Sequence, residues 1–113
     1  MILNEGLNKI KELINTNLTK GQNGTGTSTV SEGDTGLDVA VGSTLKTLTT
    51  NLGDRVLTTT HILNTTEGNG LSLTEFENQF DTGESLIRIR HTPITKDNTK
   101  ELTFITTLEI AGS

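Results

Sequence analysis

The segment LSLTEFENQFDTGESLIRIRH, residues 71–91, decides the fold class of this chain. Apolar and polar residues alternate on both sides of the central Asp-Thr-Gly-Glu, and such alternation is typical of strands with one covered face. Asp and Gly are residues that tight turns between strands require. The segment therefore predicts a β-hairpin with strands at residues 71–80 and 85–91.

Similar segments lie on both sides of the hairpin. Short strands are predicted at residues 37–41, 43–50, 55–63 and 100–110, with a loop at 93–98. In the last strand the residues predicted to share one face are Leu102, Phe104, Thr106, Leu108 and Ile110. Its clean alternation predicts a central strand of the core. The spacing predicts a mainly β fold, a small antiparallel β-sandwich of about six to eight strands in residues 37–113.

The N-terminal segment, residues 1–18, has a different period. Its apolar residues Leu3, Leu7, Ile10 and Ile14 are spaced four, three and four apart, which indicates an amphipathic helix. With Asn4 as N-cap, the helix is expected at about residues 4–16. A helix this short is marginal alone in water, so its apolar stripe is expected to be buried against the sheet or a neighbouring subunit.

Residues 19–36 are dominated by Gly, Ser, Thr and Asn, with Val30 as their one apolar residue. This composition predicts an extended arm between helix and sandwich. Its glycines follow a helix and no Gly-Lys-Ser/Thr occurs, so it does not fit a phosphate-binding loop. Without a periodic apolar face, the arm is not expected to be held by its own burial. Removal of residues 1–35 is therefore expected to leave a soluble sandwich.

The composition limits the classes of function. The 113-residue chain is 30% hydrophobic and has three Phe but no Trp or Tyr, which predicts one domain with a small core assisted by subunit contacts. A net charge of −5 argues against nucleic-acid binding. The absence of Cys excludes disulfides and thiolate metal sites. The N-terminus resembles neither a signal peptide nor a membrane span, so synthesis without export is expected.

Asp-Thr-Gly occurs at Asp34 and at Asp81, and paired Asp-Thr-Gly segments supply the two carboxylates of aspartic proteases. That arrangement needs an apolar strand leading into the first Asp, whereas Val-Ser-Glu-Gly precedes Asp34. Both aspartates are therefore interpreted as turn residues.

The remaining titratable residues give no catalytic, cofactor or metal site. His61 and His91 lack further ligands at defined spacing, so both are interpreted as structural or surface residues. An acidic group is interpreted as a solvated edge, and its members are Glu75, Glu77, Asp81 and Glu84, with Arg88 and Arg90 as cross-strand partners.

A series of short motifs occurs in order: Gly24-Thr-Gly-Thr27, Asp34-Thr-Gly-Leu37, Thr74-Glu-Phe76, Leu86-Ile-Arg88, Ile94-Thr-Lys96 and the alternating residues 102–110. The series resembles small virion structural proteins of tailed phages and archaeal viruses, of the tail-fibre, baseplate or head-decoration kind. The resemblance spans about residues 20–110. Members usually continue Glu-Phe with Gly-Leu-Phe, whereas this chain continues with Glu-Asn-Gln-Phe.

The resemblance implies a non-enzymatic virion protein made in the host cytoplasm, on a capsid surface as decoration or in a tail appendage. It implies copies of the chain itself and major capsid or tail proteins as partners, with no nucleic acid, membrane or cofactor. The expected assembly residues are Leu3, Leu7, Ile10, Ile14, Gly24, Thr25, Gly26 and Thr27. The alternative is a non-viral ligand- or carbohydrate-binding β-sandwich, although sugar-binding platforms commonly expose Trp or Tyr.

Overall fold

The computed structural model describes residues 1–109, in which two antiparallel sheets follow an N-terminal helix. The elements are α1 Asn4–Asn17, β1 Leu18–Gly24, a 3₁₀ turn Gly42–Thr44, β2 Lys46–Thr47, β3 Thr49–Leu52, β4 Val56–Leu63, β5 Leu71–Phe80, β6 Ser85–Lys96 and β7 Leu102–Glu109. The first sheet has the order β2-β1-β5-β6 and the second has the order β3-β4-β7. The predicted mainly β sandwich with an N-terminal helix is confirmed.

The core lies between the two sheets and is small. One cluster of buried residues consists of Leu18, Leu48, Leu57 and Phe76, with Phe104 among the half-buried residues packed against it. Leu63 and Leu73 are also fully buried. The rings of Phe76 and Phe104 stack with centroids 5.3 Å apart. Two of the three Phe residues in the chain therefore join the two sheets across the core.

The predicted β5–β6 hairpin is confirmed. The Phe80 N–H donates to the Glu84 carbonyl at 2.8 Å, and Gly83 adopts a φ of 101°, which favours glycine. β6 extends through Pro93 to Lys96, where a loop was predicted. Since β6 is an edge strand with irregular register opposite Thr74, a residue without an N–H is tolerated there.

Two predicted strands differ from the structure. Residues 37–41 form no named strand and contribute only an isolated bridge between Ala40 and Gly24. Residues 43–50 contain the end of the 3₁₀ turn and then β2 and the start of β3, which belong to different sheets. The chain crosses between the sheets at the buried Leu48, so one alternating segment serves both.

The prediction that the last strand is central is wrong. Among the described residues, β7 pairs only with β4 and forms an edge of the second sheet. Its alternation reports one half-buried face, and an edge strand can have such a face as readily as a central strand. Ile110 lies outside the described residues.

The predicted boundary between arm and sandwich is also wrong, because Leu18–Gly24 forms β1 between β2 and β5. Most of this strand is polar, and it is held by backbone pairing on both sides. A Cβ atom at Gly21 would lie 2.9 Å from the His61 imidazole, so the absent side chain allows close packing there. Such a strand has no apolar alternation from which to predict it.

Candidate functional site

The helix α1 contacts β3 and β1 through only part of its apolar face. Leu7 and Ile14 are half-buried, and the Lys11 ammonium donates to the Asp54 carbonyl. Leu3, which occupies the N-cap position expected for Asn4, is 69% exposed, and Ile10 is 43% exposed. The predicted stripe is therefore divided between a contacting side and an uncovered side.

The uncovered side includes a residue that the sequence analysis missed. Leu13 is 49% exposed and lies three residues after Ile10, so it shares a helix face with Ile10 and Leu3. We call Leu3, Ile10 and Leu13 the exposed helix stripe. Its i, i+3 and i, i+7 spacings were visible in the sequence, but which side of the helix contacts the sheet was not.

A cleft adjoins this stripe where the helix ends. It has a volume of about 470 Å³, and its lining residues are Leu13, Ile14, Asn17, Phe80, Asp81, Thr82 and Glu84. The Asp81 N–H donates to the Asn17 carbonyl at 2.8 Å and fixes the hairpin turn against the helix end. This Phe80 cleft extends the apolar stripe onto the sandwich and gives it an acidic border.

A second candidate region lies on the outer face of the first sheet, opposite the core. Because successive strand residues point to opposite faces, Glu75 points outward while Phe76 enters the core. The Glu75 side chain is fully buried by the arm loop, residues 25–41. Its carboxylate accepts the N–H groups of Gly26 at 2.8 Å, Val39 at 2.9 Å and Asp38 at 3.0 Å.

Arg88 completes this group of contacts, which we call the Glu75 cluster. Its guanidinium lies 2.9 Å from the Glu75 carboxylate and 2.8 Å from that of Asp34, and its side chain is 4% exposed. It also donates to the Ser28 carbonyl and hydroxyl at 3.1 Å. One buried ion pair thus holds both ends of the arm loop.

Hydrogen bonds keep these carboxylates ionised. Burial by itself raises the pKa of Glu75, but N–H donors from Val39, Asp38 and Gly26, with Arg88, lower it below its ordinary value. The Ser31 N–H and then Arg88 lower the pKa of Asp34. These pKa shifts favour the charged forms that hold the arm loop.

The Gly-Thr-Gly part of the arm fits closely around this carboxylate. A Cβ atom at Gly24 or at Gly26 would lie 2.5 Å from Glu75 Oε2. The Thr25 N–H donates to the Val39 carbonyl at 2.9 Å, and Thr27 is exposed. The arm has no apolar face to bury, and polar contacts with Glu75 and Arg88 of the same chain hold it instead.

The interpretation of the acidic group as a solvated edge is wrong for two of its members. Glu75 and Glu77 are buried, whereas Asp81 and Glu84 are exposed. Arg88 faces Glu77 in the ladder but pairs diagonally with Glu75. The arm loop covers this face. The sequence of β5 does not indicate that a distant segment of the chain covers it.

The other titratable residues considered from the sequence include two turn aspartates and one buried histidine. Asp34 closes a turn with Ser31, and Asp81 lies in the hairpin turn, as predicted for both. His61 is fully buried, and its Nε2 lies 2.8 Å from Asn23 Oδ1. Burial, followed by the nearby Lys46 charge, lowers the pKa of His61 to about 4. Within residues 1–109 no three His, Asp or Glu side chains are grouped to hold a metal ion.

A groove of about 550 Å³ lies between the edge strands β6 and β7. Its lining residues are Phe76, Ile89, His91, Thr92, Pro93, Ile94, Thr103, Phe104, Ile105 and Thr106. Ile105 is 64% exposed and Ile89 is 40% exposed. This β6–β7 groove was not predicted from the sequence, because β7 was expected to be a central strand with a neighbour on each side.

These features define a small two-sheet β-sandwich with an N-terminal helix, a fixed polar loop and two uncovered apolar surfaces. No protein-family model, curated protein or solved structure matches the chain. None of the helical segments in residues 1–109 has the length and apolar character needed to cross a membrane.

Proposed function

We propose that this protein is a non-enzymatic structural component of a tailed-phage or archaeal-virus particle, as capsid decoration or tail appendage. In this role it assembles through its N-terminal helix with copies of itself and with major capsid or tail proteins. The observation that carries the proposal is the exposed helix stripe. Exposed apolar residues that share one side of an element mark interaction surfaces. Leu3 is the N-cap of α1 and Ile10 and Leu13 lie within it, and a helix of this length is marginal alone in water.

The Glu75 cluster supports a structural role. A buried carboxylate beside a guanidinium also occurs in catalytic sites. Here the Glu75 carboxylate accepts hydrogen bonds from three N–H groups of the arm loop and from the Arg88 side chain. The arm loop is fixed before any partner binds, so assembly does not have to order it. The resemblance of the ordered motifs to virion proteins supplies the viral part of the proposal.

The proposal is tested by changing both Ile10 and Leu13 to Asp. Because both side chains are exposed, the free energy of unfolding is expected to stay close to the wild-type value. Co-sedimentation with purified particles is expected to be lost. The matched control changes Asn4 and Asn8 to Asp, which adds the same two charges to exposed positions of the same helix.

Particles that contain the wild-type chain and the control, but not the Ile10/Leu13 variant, would support the proposal. Absence of the wild-type chain from particles, judged by mass spectrometry, would refute the viral assignment. Undiminished incorporation of the Ile10/Leu13 variant would refute assembly through the helix.

One observation favours the alternative of a ligand-binding β-sandwich. The β6–β7 groove has the size of small-molecule sites and contains the buried His91 Nε2, which has no hydrogen-bond partner among the described residues. Its apolar lining favours a small apolar ligand over a sugar. Native mass spectrometry of the purified protein tests this alternative, which predicts a bound small molecule.

A further inference from the structure

We propose that the β6–β7 groove receives the exposed helix stripe of a second copy of this chain, so that copies join head to tail. The inference rests on the proposed function in taking the helix as the assembly element. It adds the surface that the helix contacts and makes that surface part of the same chain.

The groove is an incompletely covered side of the sandwich. Within residues 1–109, β6 and β7 are edge strands of 12 and 8 residues, and each pairs on one side only. Long edge strands with exposed apolar residues favour association with other chains. They are normally covered by another segment or carry charged side chains. Here Ile89 and Ile105 are exposed beside the groove, and Phe104 forms part of its apolar lining.

The exposed helix stripe lies on a different side of the molecule. α1 contacts β3 and β1, and β3 is the edge of the second sheet opposite β7. Two different surfaces that pair between copies form a heterologous contact, and such a contact repeats into a ring or a filament. Each copy would then cover one apolar surface of the copy before it and one of the copy after it.

The charges beside the Phe80 cleft and beside the groove are opposite. Asp81 and Glu84 are exposed and line the Phe80 cleft together with Leu13, and Lys9 is the exposed charge of the helix closest to the stripe. The described lining of the groove contains no carboxylate. Arg90 forms no ion pair within residues 1–109 and lines a shallow neighbouring surface that shares His91, Thr92 and Pro93 with the groove. Opposite charges at a rim orient two partners and exclude the reversed arrangement.

His91 supplies a further reason for an occupant. Its Nδ1 lies 2.9 Å from the Thr92 carbonyl and therefore carries the hydrogen, which leaves Nε2 as an acceptor in the neutral ring. This Nε2 is buried without a partner among the described residues. A buried acceptor without a donor is costly, and a donor from the docked copy would remove that cost.

The absence of Cys from the chain allows a direct test by disulfide cross-linking. Single variants Ile10→Cys, on the stripe, and Ile105→Cys, beside the groove, are purified with tags of different size and mixed under mild oxidation. The mixed disulfide is expected to exceed either self-linked dimer. Thr65→Cys, in an exposed turn, is the control for random collision.

Predominant linking of Ile10→Cys to itself, or of Ile105→Cys to itself, would indicate a two-fold contact and overturn the proposal. Mixed dimers no more abundant than those with Thr65→Cys would overturn it as well. So would a small molecule bound in the groove of the purified protein. All three outcomes are measured without particles, so they are distinct from absence of the chain from virions.

A charge exchange tests the orientation of the contact. Arg90→Glu and Glu84→Lys are each expected to weaken self-association about ten-fold in sedimentation velocity. The double variant is expected to recover most of that loss, because it restores opposite charges with their positions exchanged. Additive weakening in the double variant would contradict the proposed pairing.

Discussion

The arm loop is polar but fixed to the sandwich, whereas helix α1 has an apolar face that is partly exposed. The arm loop is polar and rich in glycine, yet the Glu75 cluster fixes it to the outer face of the first sheet. The helix has an apolar stripe, yet Leu3, Ile10 and Leu13 remain exposed. A segment is therefore held in place by the contacts available to it in the folded chain, whether or not the segment itself is apolar.

The difference has a physical cause. A buried carboxylate with its full set of donors holds several backbone groups at once, and leaving them without partners would cost free energy for each group. An apolar helix face is covered only as far as a matching surface exists, and this small sandwich covers one side of it. The arm is thus fixed by its own chain, whereas one side of the helix remains uncovered.

Deletion separates these two regions most strongly. The sequence alone led us to expect a soluble sandwich after removal of residues 1–35, but the structure reverses that expectation. Folding should be prevented, because the deletion removes β1, which pairs with both β2 and β5. Removal of residues 1–17 is expected to leave a folded, less stable sandwich. Circular dichroism and cooperative unfolding in urea measure both outcomes. A folded protein without residues 1–35 would show that the first sheet does not need β1.

Glu75→Gln is expected to release the arm loop and to cost about 3–5 kcal/mol of the free energy of unfolding. The amide leaves the buried Arg88 without its buried counter-ion and places an NH₂ group against N–H donors. Denaturant unfolding measures the loss, and limited proteolysis within residues 25–41 measures release of the loop. Glu32→Gln, exposed on the same loop, is the matched control and is expected to behave as wild type.

The free energy of unfolding is expected to fall by about 3 kcal/mol as the pH is lowered from 6.5 to about 4 because of His61. Its pKa is depressed by burial, so the unfolded state binds a proton in this range that the folded state does not. Below pH 4.5, protonation of Glu75 adds a further loss as the pH falls through its lowered pKa.

Chemical denaturation at a series of pH values checks this expectation. His61→Gln should flatten the slope between pH 6.5 and 4, since the amide does not titrate there, while the steeper loss below pH 4.5 should remain. A wild-type stability that does not change between pH 6.5 and 4 would contradict the pKa of His61.

The sequence predicted the elements whose side chains follow a local period. The helix, β4, the β5–β6 hairpin and β7 have such periods, and each appears close to its predicted place. β1 was missed because its strand character comes from backbone pairing with β2 and β5. The position of β7 was wrong because alternation reports a covered face and does not report how many neighbours a strand has.

Residue types and short spacings were enough to predict the mainly β class, the amphipathic helix and the hairpin turn, and to exclude cysteine chemistry. These properties depend on local backbone and side-chain preferences. The arrangement of the folded chain was needed to show that Glu75 holds the arm, that part of the helix face is uncovered, and that β6 and β7 border a groove. Each of these depends on which distant segments meet, and such meetings depend on the balance of many long-range contacts that no short stretch of sequence contains.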